Sequence, residues 1–265
     1  YLNYLHKSTM CGINGIISKS YTSDRLRDAI HSMNNDIIHR GPDSDGIFID
    51  KNIGLGFRRL AIIDLSPNGN QPMLSQSRRF IIVFNGEIYN FKLLKDYLLK
   101  NFNVSFIGTS DTEVLLMLIE KLGLIKALEM IQGMFAFALL DKNNNSIHLC
   151  RDRIGEKPLY FSLLNDSLFF SSELKPIIKT LKNKLTLDID NLNFFIHKSY
   201  FPEGKSVFKE VQKVLPGTVS NFFYKNGRIV KSTTTTFWSF EEVVDNSLSY
   251  LQTDYASSKH HLNDL

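Results

Sequence analysis

The sequence of 265 residues predicts an α+β fold of layered antiparallel sheets with helices on the outside. Three observations point there. Short apolar, β-branched runs recur along the chain, the pattern of buried strands. Several are joined by connectors too short to hold a helix, such as Lys142-Asn143-Asn144-Asn145 and Asn165-Asp166. Helical periodicity is confined to separate stretches, and strands arriving in consecutive hairpins leave no room for the crossovers of a doubly wound parallel sheet.

Taken in order, residues 1–9 show neither strand alternation nor a helical stripe, and residues 11–17 then read as a buried strand. The first nine residues are either a frayed tail or a segment ahead of a true initiator at Met10, which would make Cys11 the first mature residue. A helical stripe follows at 24–33, strands at 53–63 and 80–85, and helices at 91–101 and 111–122. The last of these has a defined start and stop, because Ser110 and Glu113 have capping-box spacing and Gly123 follows. Strands at 133–141, 147–151, 159–164 and 167–171 and a helix at 173–181 complete the middle. Residues 232–236 read as a Ser/Thr linker, 240–251 as a short amphipathic helix, and 257–265 as polar and aperiodic. The expected organisation is residues 1–10 as a leader or mis-started N-terminus, 11–220 as one domain, and 221–265 as a linker and the opening of a truncated second domain.

Composition removes several classes. A chain that is 43% hydrophobic and 22% charged is neither disordered nor fibrous. Its longest apolar run, residues 134–140, is far short of the ~20 residues of a membrane-spanning helix, and no signal segment opens it, so no membrane partner is expected. Thirty-one basic residues are interleaved with twenty-seven acids for a net charge of +4, which gives no footprint for nucleic acid. Two cysteines suit a reducing compartment, and a cytoplasmic location is expected. No metal-ligand spacing exists among the histidines and cysteines, so no metal site is expected. Cys150, in an apolar run, reads as core.

Four short segments carry candidate chemistry. Cys11 inside a chain is an ordinary thiol, but at a mature N-terminus its own α-amino group, with pKa of roughly 7.7–8.0, is a base within reach. Gly12 would let another group approach it. Asn85-Gly86 places an amide beside a peptide N–H, the donor pair of an oxyanion hole, or else is a plain turn. Arg59, in Arg58-Arg59-Leu60, is suited to a carboxylate, or belongs to a solvated basic pair. Asp111, in Thr109-Ser110-Asp111-Thr112-Glu113, could take an ammonium group, or merely complements a helix dipole. Singly, each plain explanation suffices. Together they describe a pocket for a free α-amino acid with an acyl side chain.

These segments also sit among others: Met10-Cys11-Gly12-Ile13, His39-Arg40-Gly41-Pro42-Asp43, Arg59-Leu60-Ala61-Ile62, Asn85-Gly86-Glu87-Ile88-Tyr89-Asn90 and Ser110-Asp111-Thr112-Glu113. Gly133-Met134-Phe135-Ala136-Phe137-Ala138, Arg151-Asp152-Arg153, Lys157-Pro158-Leu159-Tyr160 and Ser172-Glu173-Leu174-Lys175 continue the series. In order and spacing the run resembles the class II glutamine amidotransferases, and most closely the glutaminase half of the glutamine-hydrolysing asparagine synthetases. The resemblance covers about residues 10–218, with a weaker echo at Phe237-Trp238. Pro42-Asp43-Ser44 separates it from relatives that amidate sugar phosphates. Phe57 stands where a His is common and Ala61 where a Ser is common.

The resemblance implies an N-terminal-nucleophile hydrolase, a four-layer α/β/β/α sandwich of antiparallel sheets. It implies Cys11 as nucleophile, Asn85 and Gly86 as oxyanion donors, and a glutamine site of Arg59, Leu60, Ala61, Ile62, Ile63, Asn85, Gly86, Glu87 and Asp111. L-glutamine would be the substrate, with no cofactor in this chain. Aspartate, ATP and Mg²⁺ would belong to an absent or separate synthetase domain, because no Ser-Gly-Gly-x-Asp-Ser loop occurs in the sequence. A homodimer is the assembly considered. Two other readings stay open: a silent scaffold or free-standing glutaminase subunit serving another acceptor, and a related hydrolase of a different amide.

Overall fold

The computed structural model describes residues 10–248. In chain order the elements are β1 (Gly12–Ile17), α1 (Ser23–Asp36), β2 (Ser44–Asp50), β3 (Ile53–Arg59), β4 (Met73–Leu74), β5 (Phe80–Ile88), α2 (Phe91–Asn101), α3 (Asp111–Leu122) and α4 (Leu124–Met130). Then come β6 (Gly133–Asp141), β7 (Ser146–Arg151), β8 (Tyr160–Leu164), β9 (Ser167–Ser171), α5 (Leu174–Leu181), α6 (Ile189–Lys198), β10 (Gln212–Lys213), β11 (Thr218–Lys225), β12 (Arg228–Thr236) and α7 (Phe240–Leu248). The strands form two six-stranded sheets, ordered β10-β8-β9-β1-β3-β2 and β12-β11-β7-β6-β5-β4. Each neighbouring pair is antiparallel.

Strand alternation builds the layers. Ile81 and Val83 of β5 face the first sheet and pack with Ile13, Ile17, Leu55 and Phe57. Their neighbours Ile82 and Phe84 face outward onto Leu94 and Leu98 of α2 and Leu115, Leu118 and Ile119 of α3. On the far side, Ile16 and Phe169 meet Leu26, Ile30 and Met33 of α1 and Ile177 and Leu181 of α5. Three apolar layers therefore separate helix, sheet, sheet and helix, the sandwich that was expected. Cys150 is fully buried in the core between the second sheet and its helices.

Local signals explain many boundaries. Thr22 caps α1 by accepting from the Arg25 N–H, and Leu26, Ile30 and Met33 fall on one face of the helix. Gly123, at φ +87°, ends α3 in a conformation disfavoured for residues with a Cβ. Asn165 and Asp166 both have positive φ, the two-residue turn that the β8–β9 hairpin requires. The capping box at α3 is only half made. Ser110 accepts from the Glu113 N–H, but the Glu113 carboxylate accepts from the N–H groups of Ile107 and Gly108 instead.

Three expectations are corrected. The strand expected at 53–63 stops at Arg59, and residues 60–63 leave the sheet to line a cavity. Asn85-Gly86 is no turn, because β5 continues to Ile88 with Asn85 opposite Ala136 and Gly86 opposite Phe135. The linker expected from residue 221 is instead sheet: β11 pairs with β7, and β12 adds an edge. Residues 231–236 are exposed on both faces, so no apolar alternation marks them, while β-branched threonine suits an extended edge. The helix expected at 240–251 is seen as α7 through Leu248. Residues 1–9, of the expected leader, and 249–265, beyond α7, lie outside the described residues.

Candidate active site

Three strand ends converge. Cys11 immediately precedes β1, and Gly12 pairs with Arg58 at the far end of β3, so the chain leaving β3 passes the cysteine. The Leu60 N–H points to Cys11 Sγ at 3.4 Å, and the thiol faces the Leu60 carbonyl at 3.5 Å. From the second sheet, the C-terminal end of β5 brings Asn85, Gly86 and Glu87 to the same cavity. Asp111, the first residue of α3, completes the wall.

The cavity brings together the nucleophile, oxyanion and glutamine-binding candidates of the sequence. Cys11, Arg59, Leu60, Ala61, Ile62, Ile63, Asn85, Gly86, Glu87 and Asp111 all line it. Arg59 is 8% exposed, which removes the reading of a solvated basic pair. Its Nη1 donates to Asn70 Oδ1 at 2.7 Å and its Nη2 to the Asp64 carbonyl, so the fork is held rigidly from behind. Asp111 accepts from the Ile88 N–H at 2.9 Å and the Thr112 N–H at 2.8 Å. Ala61 is fixed by its N–H donating to Asp43. Asn85 is almost fully buried, yet its Nδ2 has no partner among the described residues. A buried amide donor without an acceptor is costly, about 1–3 kcal/mol. Gly86 is demanded by packing, since a Cβ there would meet the Phe135 backbone at 2.7 Å. Gly12 serves a different end from the one expected: a Cβ would meet Ile37 at 2.8 Å, so the space belongs to α1's C-cap rather than to an incoming group.

The electrostatics follow from burial. Desolvation pushes the Cys11 thiol above its ordinary value, against the Leu60 N–H and the charge of Arg59, which pull it down; Asp111 pushes it up and Arg40 pulls it down. A thiol in that state needs a base before it attacks anything. Asp111 is likewise raised by burial, opposed by the Ile88 and Thr112 N–H groups and reinforced by Glu87. A cation in the cavity would relieve that penalty.

Several residues outside the candidate set support the site; His39, Arg40, Asp152, Lys157 and Glu173 belong to the quoted segments without an assigned role, and Gln71 carries no sequence signal. Arg40 donates its Nε to the Cys11 carbonyl at 3.0 Å and is held by Glu173, which also takes His39. Gln71 accepts from the Phe84 N–H and donates to Thr112 Oγ1 at 3.4 Å, bridging β5 to α3. Asp152 gathers the N–H groups of Phe135, Glu156 and Lys157. That turn places the Lys157 ammonium on the cavity wall, 2.9 Å from Met10 Sδ. Asp64 and Asn70, which hold Arg59 from behind, stand in none of the quoted segments. Among the described residues no cluster of three His, Cys, Asp or Glu could hold a metal ion.

Two packed antiparallel sheets between helical layers, with a cysteine directly ahead of a central strand, define the N-terminal-nucleophile amidotransferase fold. The chain belongs to the glutamine amidotransferase domain family, which matches residues 10–238. It is 39% identical over 212 residues to asparagine synthetase [glutamine-hydrolyzing] 1 of Bacillus subtilis, covering 79% of this chain and 33% of that protein. It is 38% identical over 225 residues to putative asparagine synthetase [glutamine-hydrolyzing] 2 of Methanocaldococcus jannaschii, covering 77% and 42%. The chain thus spans less than half the length of these curated relatives. Among solved structures, the glutamine phosphoribosylpyrophosphate amidotransferase from B. subtilis superposes with a TM-score of 0.64 at 18% identity, over 86% of this chain and 49% of that one. At that identity the likeness concerns the fold.

Proposed function

We propose that this domain hydrolyses L-glutamine to glutamate and ammonia through a thioester on Cys11. The observation that carries the reading is the buried Asn85 Nδ2, without a partner among the described residues, in the cavity that holds the Cys11 thiol. When Cys11 is N-terminal, its α-amine takes the thiol proton and Sγ attacks the side-chain amide carbon. The oxyanion forms against Asn85 Nδ2 and the Gly86 N–H, which meet it without reorganisation. The amine then returns the proton to the departing ammonia, and water cleaves the thioester. Arg59 binds the α-carboxylate and Asp111 the α-ammonium, while Glu87 and residues 60–63 wall the side chain.

The test is a glutaminase assay on protein beginning at Cys11. Glutamate release from glutamine but not from a peptide amide, abolished by Cys11→Ala, is the expected result. A Cys11→Ala variant keeping a tenth of the activity would remove Cys11 from the mechanism.

The ammonia, on this reading, serves the ATP- and Mg²⁺-dependent amidation of aspartate by a synthetase domain, as the names of the relatives suggest. The described residues offer no metal-ligand cluster, and no step above runs through ATP or Mg²⁺. Glutamine, aspartate, ATP and Mg²⁺ supplied to this chain alone should yield glutamate without asparagine. Asparagine and AMP formed without a partner would refute that division of labour. A cytoplasmic site of action and a homodimer belong to the same proposal. Among the described residues no helix is long and apolar enough to cross a membrane.

A further inference from the structure

We infer that Asp64 is a positioning residue that sets the separation between the carboxylate clamp and the ammonium clamp, and so selects a free α-amino acid. The inference rests on the glutamine reading above. Asp64 is 7% exposed and joins two loops that approach the cavity from different elements. Its Oδ1 accepts from the Ser66 N–H at 2.8 Å and the Ser66 hydroxyl at 2.6 Å, closing the turn that continues to Asn70. Its Oδ2 accepts from the Thr109 N–H at 2.8 Å, two residues before Asp111. Its own carbonyl accepts from Arg59 Nη2, while Asn70, at the end of the same turn, holds Nη1.

One carboxylate therefore ties the loop that aims Arg59 to the loop that starts α3 and presents Asp111. The Ser66 hydroxyl and the Thr109 N–H hold the Asp64 carboxyl down at about 2, so it stays ionised and keeps accepting. Glu113 braces the same strip of chain by accepting from the Ile107 and Gly108 N–H groups. Gly108 fits because a Cβ would stand 2.7 Å from Asp64 Oδ2. Asp64 has no need to touch the substrate for this. It fixes the span between two charged ends, and a ligand with only one end gains little from that span.

The experiment compares wild type, Asp64→Asn and Gly108→Ala, each with Cys11 at the N-terminus, using glutamine, glutaramate (no α-amine) and γ-aminobutyramide (no carboxylate). An asparagine amide must turn its NH₂ toward either Thr109 or Ser66, setting donor against donor. Gly108→Ala pushes the carboxylate while leaving its charge intact. The expected result is a KM for glutamine raised roughly 10- to 100-fold in Asp64→Asn, with kcat within about threefold of wild type. The advantage of glutamine over the two one-ended amides should shrink by a similar factor, and Gly108→Ala should shift in the same direction. Unchanged KM in both variants, or a fall in kcat alone, would overturn the assignment. So would failure of both variants to fold, which would make Asp64 a folding residue. A wild type active on glutamine with unmoved variants refutes this inference alone; a wild type without glutaminase activity refutes the glutamine reading itself.

Discussion

Removing the Asn85 side-chain amide should separate catalysis from stability. In Asn85→Ala the lost Nδ2 is a donor that makes no bond among the described residues, so folding loses nothing there and is relieved of a desolvation penalty of about 1–3 kcal/mol. Against that stands the packing lost when a buried side chain is cut back, on the order of 1–3 kcal/mol for the few heavy atoms involved. The two nearly cancel, and thermal unfolding should move by only a few degrees. Catalysis has no such compensation. Loss of one preorganised oxyanion donor costs about 2.7–4 kcal/mol of transition-state stabilisation, roughly 100- to 1000-fold in kcat. Glutamate release should therefore collapse in a protein that melts almost like wild type, with KM little changed, because the donor acts on charge that develops after binding. A kcat within tenfold of wild type would refute the reasoning. So would a large drop in melting temperature, which would mean that Asn85 is in the sheet for structural reasons.

Arg59→Lys should raise KM for glutamine by about tenfold or more, because an ammonium cannot keep Asn70 and the Asp64 carbonyl while also meeting a carboxylate in two places; an unchanged KM would make Arg59 a structural cation. A chain demonstrably retaining Tyr1–Met10 should be inactive, since the base becomes an amide and Met10 lies on the cavity wall; turnover by an intact chain, verified by mass, would contradict the amine's role. Asp141 gives a pH prediction. Its carboxylate takes a bidentate pair from Arg79 and the N–H groups of Asn143 and Asn144, and despite its burial it is lowered below the ordinary value, chiefly by Arg79. A depressed pKa stabilises the fold fully above the unfolded value, about 3.9, and the contribution fades as pH falls below it. The difference in melting temperature between wild type and Asp141→Asn should be constant near neutrality and close in acid; a difference independent of pH would rule this out.

The parts of the molecule legible in the sequence are those whose signals are local. Leu26, Ile30 and Met33 announce the inner face of α1, and Asn165-Asp166 announces a hairpin, because spacing and turn chemistry act over a few residues. Residues 231–236 of β12 carry no such signal because a stretch exposed on both faces has no inside to alternate toward. Asn85-Gly86 misled for the opposite reason: a turn-forming pair is overruled when β6 hydrogen-bonds straight across it. At the site, the charged and nucleophilic groups stand out by type, but the residues that orient them do not. Asp64, Asn70 and Gln71 act on partners as far as 45 positions away, the Arg59 guanidinium and the N–H groups of Thr109 and Phe84, which meet them only once the chain is folded.

Chain termini are ordinarily the most mobile part of a domain, yet Cys11 is continuous with a strand hydrogen-bonded on both sides, to β3 and β9. Arg40 grips its carbonyl as well. Once Cys11 is the first residue, its amine and thiol share one α-carbon whose orientation the sheet already dictates. The base is then presented to the nucleophile at the effective molarity of an intramolecular group, and the rotational freedom that a tethered loop would lose at each turnover is lost once, on folding. Removal of whatever precedes Cys11 would in that case do two things in a single cut: create the base and leave it already aimed.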